Sequence, residues 1–423
     1  MWQMLSLLAT RRFGPLFVTQ LLGAFNDNLY RTALIFIVAY DIAAADPEQA
    51  AFLASLAAGL FILPFLLFSG IAGSLADARD KAAIARLVKQ LEIGFMGLGW
   101  LALAIGSLPL ALVVVFLMGC HSTLFGPVKY AILPQHLKPA ELIGGTGMVE
   151  AATFVAILLG QVAGGLLATA AVGPVAVGLA VLGWLASRAI PPAPPEAAVA
   201  ISWNAWTSAR AAIAHAWSDR RLWQATLAIS WFWALGAVYT SQFVPLARNV
   251  MGGSEAVATA FLSLFSVGIA AGSLAVARIL RGRLSTRVCL WAGVAMALAG
   301  LDLFFAIAAV GSAPKTVAGL MATPAGWRVA ADLFALAAAG GVFSVPLYAV
   351  LQTAGAAGSR ARAIAANNII NSLFQVSAVL AVGAAVGAGV GAALVLMLSG
   401  LTVLLLLPGL DQIDKSVKSH VDS

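Results

Sequence analysis

The sequence is a succession of apolar stretches, each long enough to cross a membrane, separated by mostly short polar or charged connections. A spanning helix needs about 20 mostly apolar residues. The stretches that meet this requirement lie at about 13–40, 50–76, 84–105, 108–133, 142–170, 172–190, 222–247, 256–280, 288–310, 327–351, 363–386 and 389–407. They are continuous rather than alternating, which argues against a transmembrane β-barrel. We therefore predict an all-α integral membrane protein with twelve spanning helices.

Composition excludes the soluble classes of protein. Hydrophobic residues make up 61% of the chain and charged residues 10%, whereas soluble domains carry about 45–50% and about 25%. The net charge of +7 does not indicate nucleic-acid binding, because the basic residues fall between the apolar stretches. The two cysteines, Cys120 and Cys289, offer no metal-ligand spacing. We expect no metal and no cofactor.

The positions of lysine and arginine predict the topology. Twenty of the 24 basic residues fall on one side of the predicted spans, and only Arg248, Lys315 and Arg328 fall on the other. Arg31 lies inside span one. Because cytoplasmic connections carry the excess of basic residues, we expect both termini and the central linker to face the cytoplasm.

The sequence contains an internal repeat. The segment GSLADAR at 73–79 returns as GSLAVAR at 272–278, and YAIL at 130–133 returns as YAVL at 348–351. Both pairs occupy equivalent spans of two six-span halves. Two such halves joined by a proline-rich linker are typical of major facilitator transporters. We place the N-terminal half at 1–190, the linker at 191–221 and the C-terminal half at 222–423. The alternative is that short apolar words recur by chance.

The linker contains a second pattern of functional interest. An aromatic and apolar stripe repeats every three or four residues, at Trp203, Trp206, Arg210, Ile213 and Trp217. This spacing predicts an amphipathic helix lying in the membrane interface. A helix docked on the cytoplasmic face of the protein would show the same pattern.

Span one carries charges where charges are costly and usually functional. Asp27 lies about 13 residues into the span, or ~20 Å along a helix. Arg31 follows four residues later on the same face, and Gln20 lies on that stripe. Neighbouring polar side chains that we include as candidates are Asn26 and Asn28. Either Asp27 and Arg31 form a structural ion pair, or they line a polar cavity that binds a charged head group.

Other polar side chains interrupt the later spans. The candidates for substrate binding are His121, Lys129, Glu150, Asn367 and Asn371. We expect Lys129 and Glu150 to pair, because spans four and five are adjacent. Asparagines between membrane helices are often packing contacts only, and a lone histidine is often structural. Glu92 and Asp302 belong to spans that are peripheral in this fold, so we assign them structural roles.

The loop after span two has the form G-x-x-x-D-x-x-x-K, with Gly73, Asp77, Arg79 and Lys81 as its members. It resembles the loop motif of the major facilitator superfamily. Asp77 can lie at a helix N-terminus or pair with an arginine across the interface between the halves. We predict a conformational lock there. The second copy has Val276 in place of the aspartate, so the lock should exist only in the N-terminal half.

Three segments look like the bacterial lysophospholipid transporter family of this superfamily. They are GAFNDNLYRTAL in span one, FGPVKYAILPQ in span four and GTGMVEAATFVAILLGQVAGG in span five, with WFWALGAVYTSQF in span seven as a weaker match. The resemblance implies a flippase that moves lysophospholipids from the outer to the inner leaflet of the bacterial inner membrane. It also implies re-acylation by an acyltransferase/acyl carrier protein synthetase as partner. We expect a monomer surrounded by membrane lipids, with no nucleic-acid partner.

Rival functions make different demands on the sequence. A proton-coupled exporter of drugs or small amphiphiles would share the fold and use Asp27 or Glu150. A membrane-embedded acyltransferase would need a His-x4-Asp pair. The nearest matches are His136 with Glu141 and His215 with Asp219, and neither has the required residues and spacing. We therefore predict that the chain is not an enzyme. The hypothesis that the protein is a scaffold that transports nothing is supported only by the predicted linker helix.

Overall fold

The computed structural model describes residues 5–39, 46–312, 315–356 and 358–421. These residues are almost entirely helical and contain no β-strand. The spanning helices are α1 (Gly14–Ile37), α2 (Pro47–Ala78), α3 (Lys81–Ala104), α4 (Leu108–Ala131), α5 (Pro139–Leu166), α6 (Thr169–Arg188), α7 (Arg220–Pro245), α8 (Glu255–Leu280), α9 (Arg287–Val310), α10 (Pro324–Thr353), α11 (Arg360–Gly387) and α12 (Ala392–Leu401). Short helical turns lie at Ser6–Ala9, Leu133–His136, Leu246–Val250 and Val317–Met321.

The predicted number of spans is confirmed. Eleven spans within the described ranges are long and apolar enough to cross a membrane without further argument, and the last of them, Ala392–Ser416, joins α12 to the helical segments that follow it. The twelfth is α1, whose polar residues lower its hydropathy. Its 24 residues still extend about 36 Å, more than the thickness of a bilayer core.

Two predicted boundaries are wrong. The predicted spans five and six end at 170 and begin at 172, with the turn-forming pair Gly173 and Pro174 next to this connection, but residues 170–174 all lie inside α6. The turn consists of Leu167 and Ala168, whose extended backbones are enough to reverse the chain. Span twelve was expected to end near residue 407. It continues through a 3-10 turn at Thr402–Leu406 into a helix at Leu407–Val421.

Side-chain contacts hold this C-terminal extension in place. Gln412 bonds Gln224 of α7 at 2.8 Å, and Asp414 accepts a hydrogen bond from Ser285 at 2.8 Å. Because both contacts are with distant parts of the chain, hydropathy along the sequence does not reveal them.

Small residues fix the position of α1 against α5. A Cβ atom on Gly160 or Gly164 would lie 2.5 Å from the carbonyl oxygen of Phe25 or Leu29, respectively. Only glycine permits this close approach of two helix backbones. The packing presents the opposite face of α1, which includes Asp27, to the centre of the molecule.

The end of the molecule at which α1 begins, α6 ends and α7 begins is called the linker side below. The segment between α6 and α7 crosses this side and contains a helix at Ala205–Ser218, called the linker helix. Ser208, Ala212 and Ala216 on one face of it are buried. Trp203 and Trp206 remain exposed. The buried face of the linker helix is therefore docked on the protein, as the second of the two alternatives predicted.

Candidate substrate cavity

A cavity of about 400 Å³ lies between the two halves. Its walls come from α1, α2, α3, α4 and α5 of the N-terminal half and from α7, α8, α10 and α11 of the C-terminal half. The polar side chains that line it are Gln20, Asp27, Asn28, Arg31, Lys89, His121, Ser122, Lys129, Thr153, Gln161, Thr240, Ser266, Asn368, Asn371, Ser372 and Gln375. Aromatic rings complete the wall, among them Phe61, Phe125, Phe154 and Trp233.

Seven of the ten candidate binding residues line this cavity, namely Gln20, Asp27, Asn28, Arg31, His121, Lys129 and Asn371. The other three candidates, Asn26, Glu150 and Asn367, lie behind its wall. Asn26 points away from the cavity and donates to Glu92 at 3.0 Å and to the Ala176 carbonyl at 3.1 Å. Asn367 and Glu150 are completely buried.

Of the two alternatives for Asp27 and Arg31, the ion pair does not form, and both side chains line the cavity. Asp27 accepts a hydrogen bond of 2.5 Å from the Ser122 hydroxyl and lies 3.9 Å from Nδ1 of His121. Arg31 donates to Asn28 at 2.9 Å, and its guanidinium lies 4.8 Å from the ring centre of Phe61. Within the described part of the chain, no carboxylate comes within 4.0 Å of that guanidinium.

The expected pair between Lys129 and Glu150 is also wrong. Glu150 accepts its hydrogen bond from the hydroxyl of Tyr130 instead. The Lys129 ammonium lies 4.7 Å from the ring centre of Tyr130 and faces the cavity. Two basic side chains, Arg31 and Lys129, thus reach the cavity without a carboxylate within 4.0 Å among the described residues.

A buried charge network lies behind Asp27. Glu92 of α3 accepts from the Lys89 ammonium at 2.6 Å, and its carboxylate lies 3.3 Å from Nε2 of His121. The other ring nitrogen of His121 lies 2.8 Å from the Met118 carbonyl. An acceptor at each ring nitrogen favours the doubly protonated imidazolium. The alternating charges of Lys89, Glu92, His121 and Asp27 therefore compensate one another.

Sequence reasoning missed the role of α3 in the cavity. From the sequence, Lys89 is only one of the basic residues whose distribution predicts the orientation in the membrane. Glu92 was assigned a structural role in a peripheral span. The structure places Lys89 on the cavity wall and Glu92 directly behind it. The available signal was their spacing of three residues, which puts both side chains on one helix face. Asp302 pairs with Arg328 at 2.7 Å on an exposed surface of α9 and α10.

A stacked pair of tyrosines closes the cavity towards the linker side. Tyr130 of α4 and Tyr348 of α10 have ring centres 4.5 Å apart and planes 7° apart. The Trp233 indole donates to the Tyr348 hydroxyl at 2.8 Å. These tyrosines begin the repeated words YAIL and YAVL, so the internal repeat brings equivalent residues of the two halves together.

The loop after α2 forms a second closure between the halves. Asp77 accepts hydrogen bonds from the backbone of Ala361 at 3.0 Å and of Arg362 at 3.2 Å, at the N-terminus of α11. It also accepts from Nε of Arg362 at 3.1 Å. Both expected partners, a helix N-terminus and an arginine across the interface, are thus present. Gly73 lets α2 approach α11, because a Cβ atom there would lie 2.5 Å from Ala365.

The remaining members of this loop have different surroundings. Arg79 is exposed, whereas the Lys81 ammonium is buried and makes no hydrogen bond among the described residues. In the second copy, Val276 is buried against Ile143 and Val345. An apolar contact replaces the aspartate there.

We expect Asp77→Asn to slow transport roughly tenfold without changing substrate affinity, because it weakens charge-assisted hydrogen bonds that act only in the closed state. Transport rate and equilibrium binding, measured on the same purified protein, check this. Arg283→Gln, which alters an exposed charge in the equivalent loop after α8, is the matched control. A wild-type rate for Asp77→Asn would rule out the lock.

Apolar side chains of both halves are exposed at the end of the molecule opposite the linker. There α2 exposes Phe52 (64%) and α11 exposes Leu380 (67%). These helices are also the least buried of the eleven most apolar spans, as expected of helices that face lipid. The tyrosine stack and the Asp77 contacts hold the halves together on the linker side. The structure is therefore closed on the linker side.

This geometry can be compared with known proteins. Residues 16–379 match the sequence profile described as Major Facilitator Superfamily. The chain belongs to this superfamily. The match covers most of the sequence and both halves, so the major facilitator fold and a transporter function follow for a multi-pass membrane protein.

Relatives with assigned names agree with the resemblance found in spans one, four and five. The lysophospholipid transporter LplT of Serratia proteamaculans is 27% identical over 362 residues, covering 82% of this chain and 81% of its own. The lysophospholipid transporter LplT of Escherichia fergusonii is 28% identical over 348 residues, and the match covers 80% of this chain and 79% of that protein. The predicted family resemblance is confirmed.

Solved structures of superfamily members share the fold. The human organic anion transporter MFSD10 superposes with a TM-score of 0.78 at 15% identity, covering 95% of this chain and 99% of its own. A bacterial homologue of the iron transporter ferroportin in an outward-facing state gives a TM-score of 0.67 at 14% identity, with 95% and 99% coverage. At these identities the likeness concerns the fold alone.

Proposed function

We propose that this transporter moves lysophospholipids across a membrane by alternating access. The observation that carries the proposal is the division of the cavity wall. Its charged residues Asp27, Arg31, Lys89 and Lys129 all come from the N-terminal half. The described lining residues of α7, α8, α10 and α11 carry no charge. A lysophospholipid has one charged head and one acyl chain, and it needs a charged surface for the head and an uncharged surface with apolar side chains for the chain.

The charged wall fits both signs of a phospholipid head group. Arg31 and Lys129 lack a carboxylate within 4.0 Å among the described residues, so a phosphate can accept hydrogen bonds from them without breaking an existing ion pair. Asp27 offers a carboxylate to an ammonium group. Unpaired charge in a membrane costs at least about 2.5–3.5 kcal/mol per group, which a ligand of opposite charge offsets.

Apolar side chains on the uncharged wall of the cavity fit the acyl chain. Phe232, Trp233, Leu262, Phe265 and Ile269 face the cavity from α7 and α8. Burial of hydrocarbon contributes about 0.8 kcal/mol per methylene. We infer that the exposed apolar surfaces of α2 and α11 at the end opposite the linker, which include Phe52 and Leu380, offer the chain a lateral route from the bilayer.

The predicted topology supports the proposed direction of transport. Basic residues concentrate on the linker side, which we assign to the cytoplasm. The cavity then opens towards the outer leaflet of the bacterial inner membrane, from which a lysophospholipid enters. Release into the inner leaflet delivers it for re-acylation, and the family resemblance supports an acyltransferase/acyl carrier protein synthetase as the recipient. Cavity and lock are built from one chain, which supports a monomer.

The topology can be tested by cysteine labelling. We expect a membrane-impermeant thiol reagent to label Asp46→Cys in intact cells and to label Arg283→Cys only after permeabilisation, because the basic connections face the cytoplasm. Both positions are exposed. Labelling of position 283 from outside would overturn the orientation.

Leaflet-resolved uptake tests the function itself. Spheroplasts with and without the protein receive labelled lysophosphatidylethanolamine, with diacyl phosphatidylethanolamine as the control. We expect protein-dependent movement of the lysolipid to the inner leaflet and none of the diacyl lipid. Equal rates with and without the protein would refute the proposal.

One observation favours a second candidate, a proton-coupled exporter of small amphiphiles. Asp27, His121 and Glu92 form a chain of titratable groups from the cavity into the protein. In that case a protonophore abolishes transport and a small cationic amphiphile replaces the lysolipid as substrate. The same uptake experiment, repeated with the protonophore, separates the two functions.

A further inference from the structure

The linker helix has three distinct faces. Ser208, Ala212 and Ala216 form the buried face. Trp206 and Trp217 are 72% and 66% exposed and, at 100° per residue, lie about 120–140° away from it. Trp203, two residues before the helix begins, is 71% exposed. A third face, with Thr207, Ala211 and Ser218, is small or polar and also exposed. A helix that contacts protein, lipid and water at once needs such a division.

The buried face of the helix bridges the two halves. A Cβ atom on Gly70 of α2 would lie 2.4 Å from the backbone nitrogen of Ala209, so the two backbones are in close contact. Ala212 and Ala216 pack with Ala365 and Ala366 of α11. The helix thus crosses the seam between α2 and α11 about one turn from the Asp77 lock.

The depth of this crossing places the helix within the membrane interface. Gly70 precedes the end of α2 by eight residues and Ala365 follows the start of α11 by five. At 1.5 Å per residue the crossing lies about 8–12 Å below the helix ends. That depth matches the boundary between head groups and acyl chains, where amphipathic helices lie. Since α2 and α11 are the least buried of the eleven most apolar spans, the helix flanks lipid.

We propose that the linker helix is an interfacial anchor whose tryptophans insert among the lipid head groups on the linker side and thereby stabilise the closed lock. Its occupant is the lipid surface itself. Indole rings favour this layer. The exposed Arg210 and Arg220 on and beside the helix complement anionic lipids. The inference does not depend on which amphiphile is transported.

Depth-dependent quenching tests the anchor directly. A fluorescent probe is attached to Trp206→Cys, or to Ala211→Cys on the water-facing side as matched control, in a Cys120→Ser and Cys289→Ala background. The protein is placed in vesicles of about three parts zwitterionic to one part anionic phospholipid. We expect spin-labelled lipid to quench position 206 and aqueous iodide to quench position 211. Equal iodide quenching at both positions would overturn the anchor, because the tryptophan face would then lie in water.

A transport measurement tests the coupling to the lock. Replacing Trp203, Trp206 and Trp217 together with serine should lower the transport rate about fivefold in anionic vesicles, because the anchor no longer supports closure on the linker side. Replacement with tyrosine, which also favours the interface, should preserve the rate. Wild-type transport by the serine variant would show that the helix does not act on the lock.

Discussion

Replacing Lys129 with methionine should lower lysophospholipid transport roughly 100-fold, because a buried ammonium that binds phosphate directly contributes several kcal/mol to recognition. The variant should still fold. Lys129 has no carboxylate within 4.0 Å among the described residues, and Glu150 bonds Tyr130 instead. Removing the ammonium keeps the hydrogen bond from Tyr130 to Glu150 but takes away a positive charge that interacts with this buried carboxylate, so stability has to be measured beside transport. Initial uptake rates in proteoliposomes, together with thermal unfolding in detergent, measure both effects.

Two variants control for charge alone. Lys138→Met removes an exposed lysine at the start of α5 and should transport at the wild-type rate. Lys129→Arg keeps the positive charge and should keep part of the activity. If Lys129→Met transports normally, the phosphate does not bind there, and the charged wall has another purpose.

The architecture was predictable because its signals are local. A run of apolar residues of sufficient length indicates a span wherever it packs, and the distribution of basic residues indicates sides. The extension of α12 was not predictable, since Asp414 and Ser285 meet only in the folded chain. The turn at Leu167 and Ala168 also escaped, because neither residue type is a strong turn signal.

The pairings within the site show a sharper limit. Asp27 and Arg31 are four residues apart, which puts them on one helix face and predicts contact. Inside a folded protein, residues of neighbouring helices compete with residues of the same helix as contact partners of a side chain. Asp27 accepts a hydrogen bond from Ser122, and the Arg31 guanidinium lies over the ring of Phe61. Helix spacing identifies which residues share a face, and tertiary packing decides which of them touch.

Lys89 illustrates how a peripheral helix enters a site. Its side chain reaches the cavity beside Gly23 of α1, where an added Cβ atom would lie 2.2 Å from the ammonium. The absence of a side chain at Gly23 provides the passage. The sequence does not show this passage, because Lys89 and Gly23 lie on different helices and meet only in the folded protein.

Replacing Glu92 with glutamine should destabilise the folded protein by about 3–5 kcal/mol, because it leaves buried cations without their carboxylate. The side chains of Lys89, Glu92 and His121 are at most 3% exposed, so water cannot replace the lost partner. The free energy of unfolding in detergent micelles measures the loss. Asp302→Asn breaks the exposed pair with Arg328 and should leave stability nearly unchanged, since exposed ion pairs contribute little.

The double variant Lys89→Met and Glu92→Gln distinguishes charge from packing. If the single variant fails because it strands the Lys89 ammonium, removing that ammonium recovers most of the lost stability, as replacing buried ion pairs with apolar groups often does. A double variant as unstable as the single one would show that the carboxylate acts mainly through His121. Its Nε2 lies 3.3 Å from Glu92, and this contact fixes the ring beside Asp27. In either case transport should stay low, because Lys89 also forms part of the charged wall of the cavity.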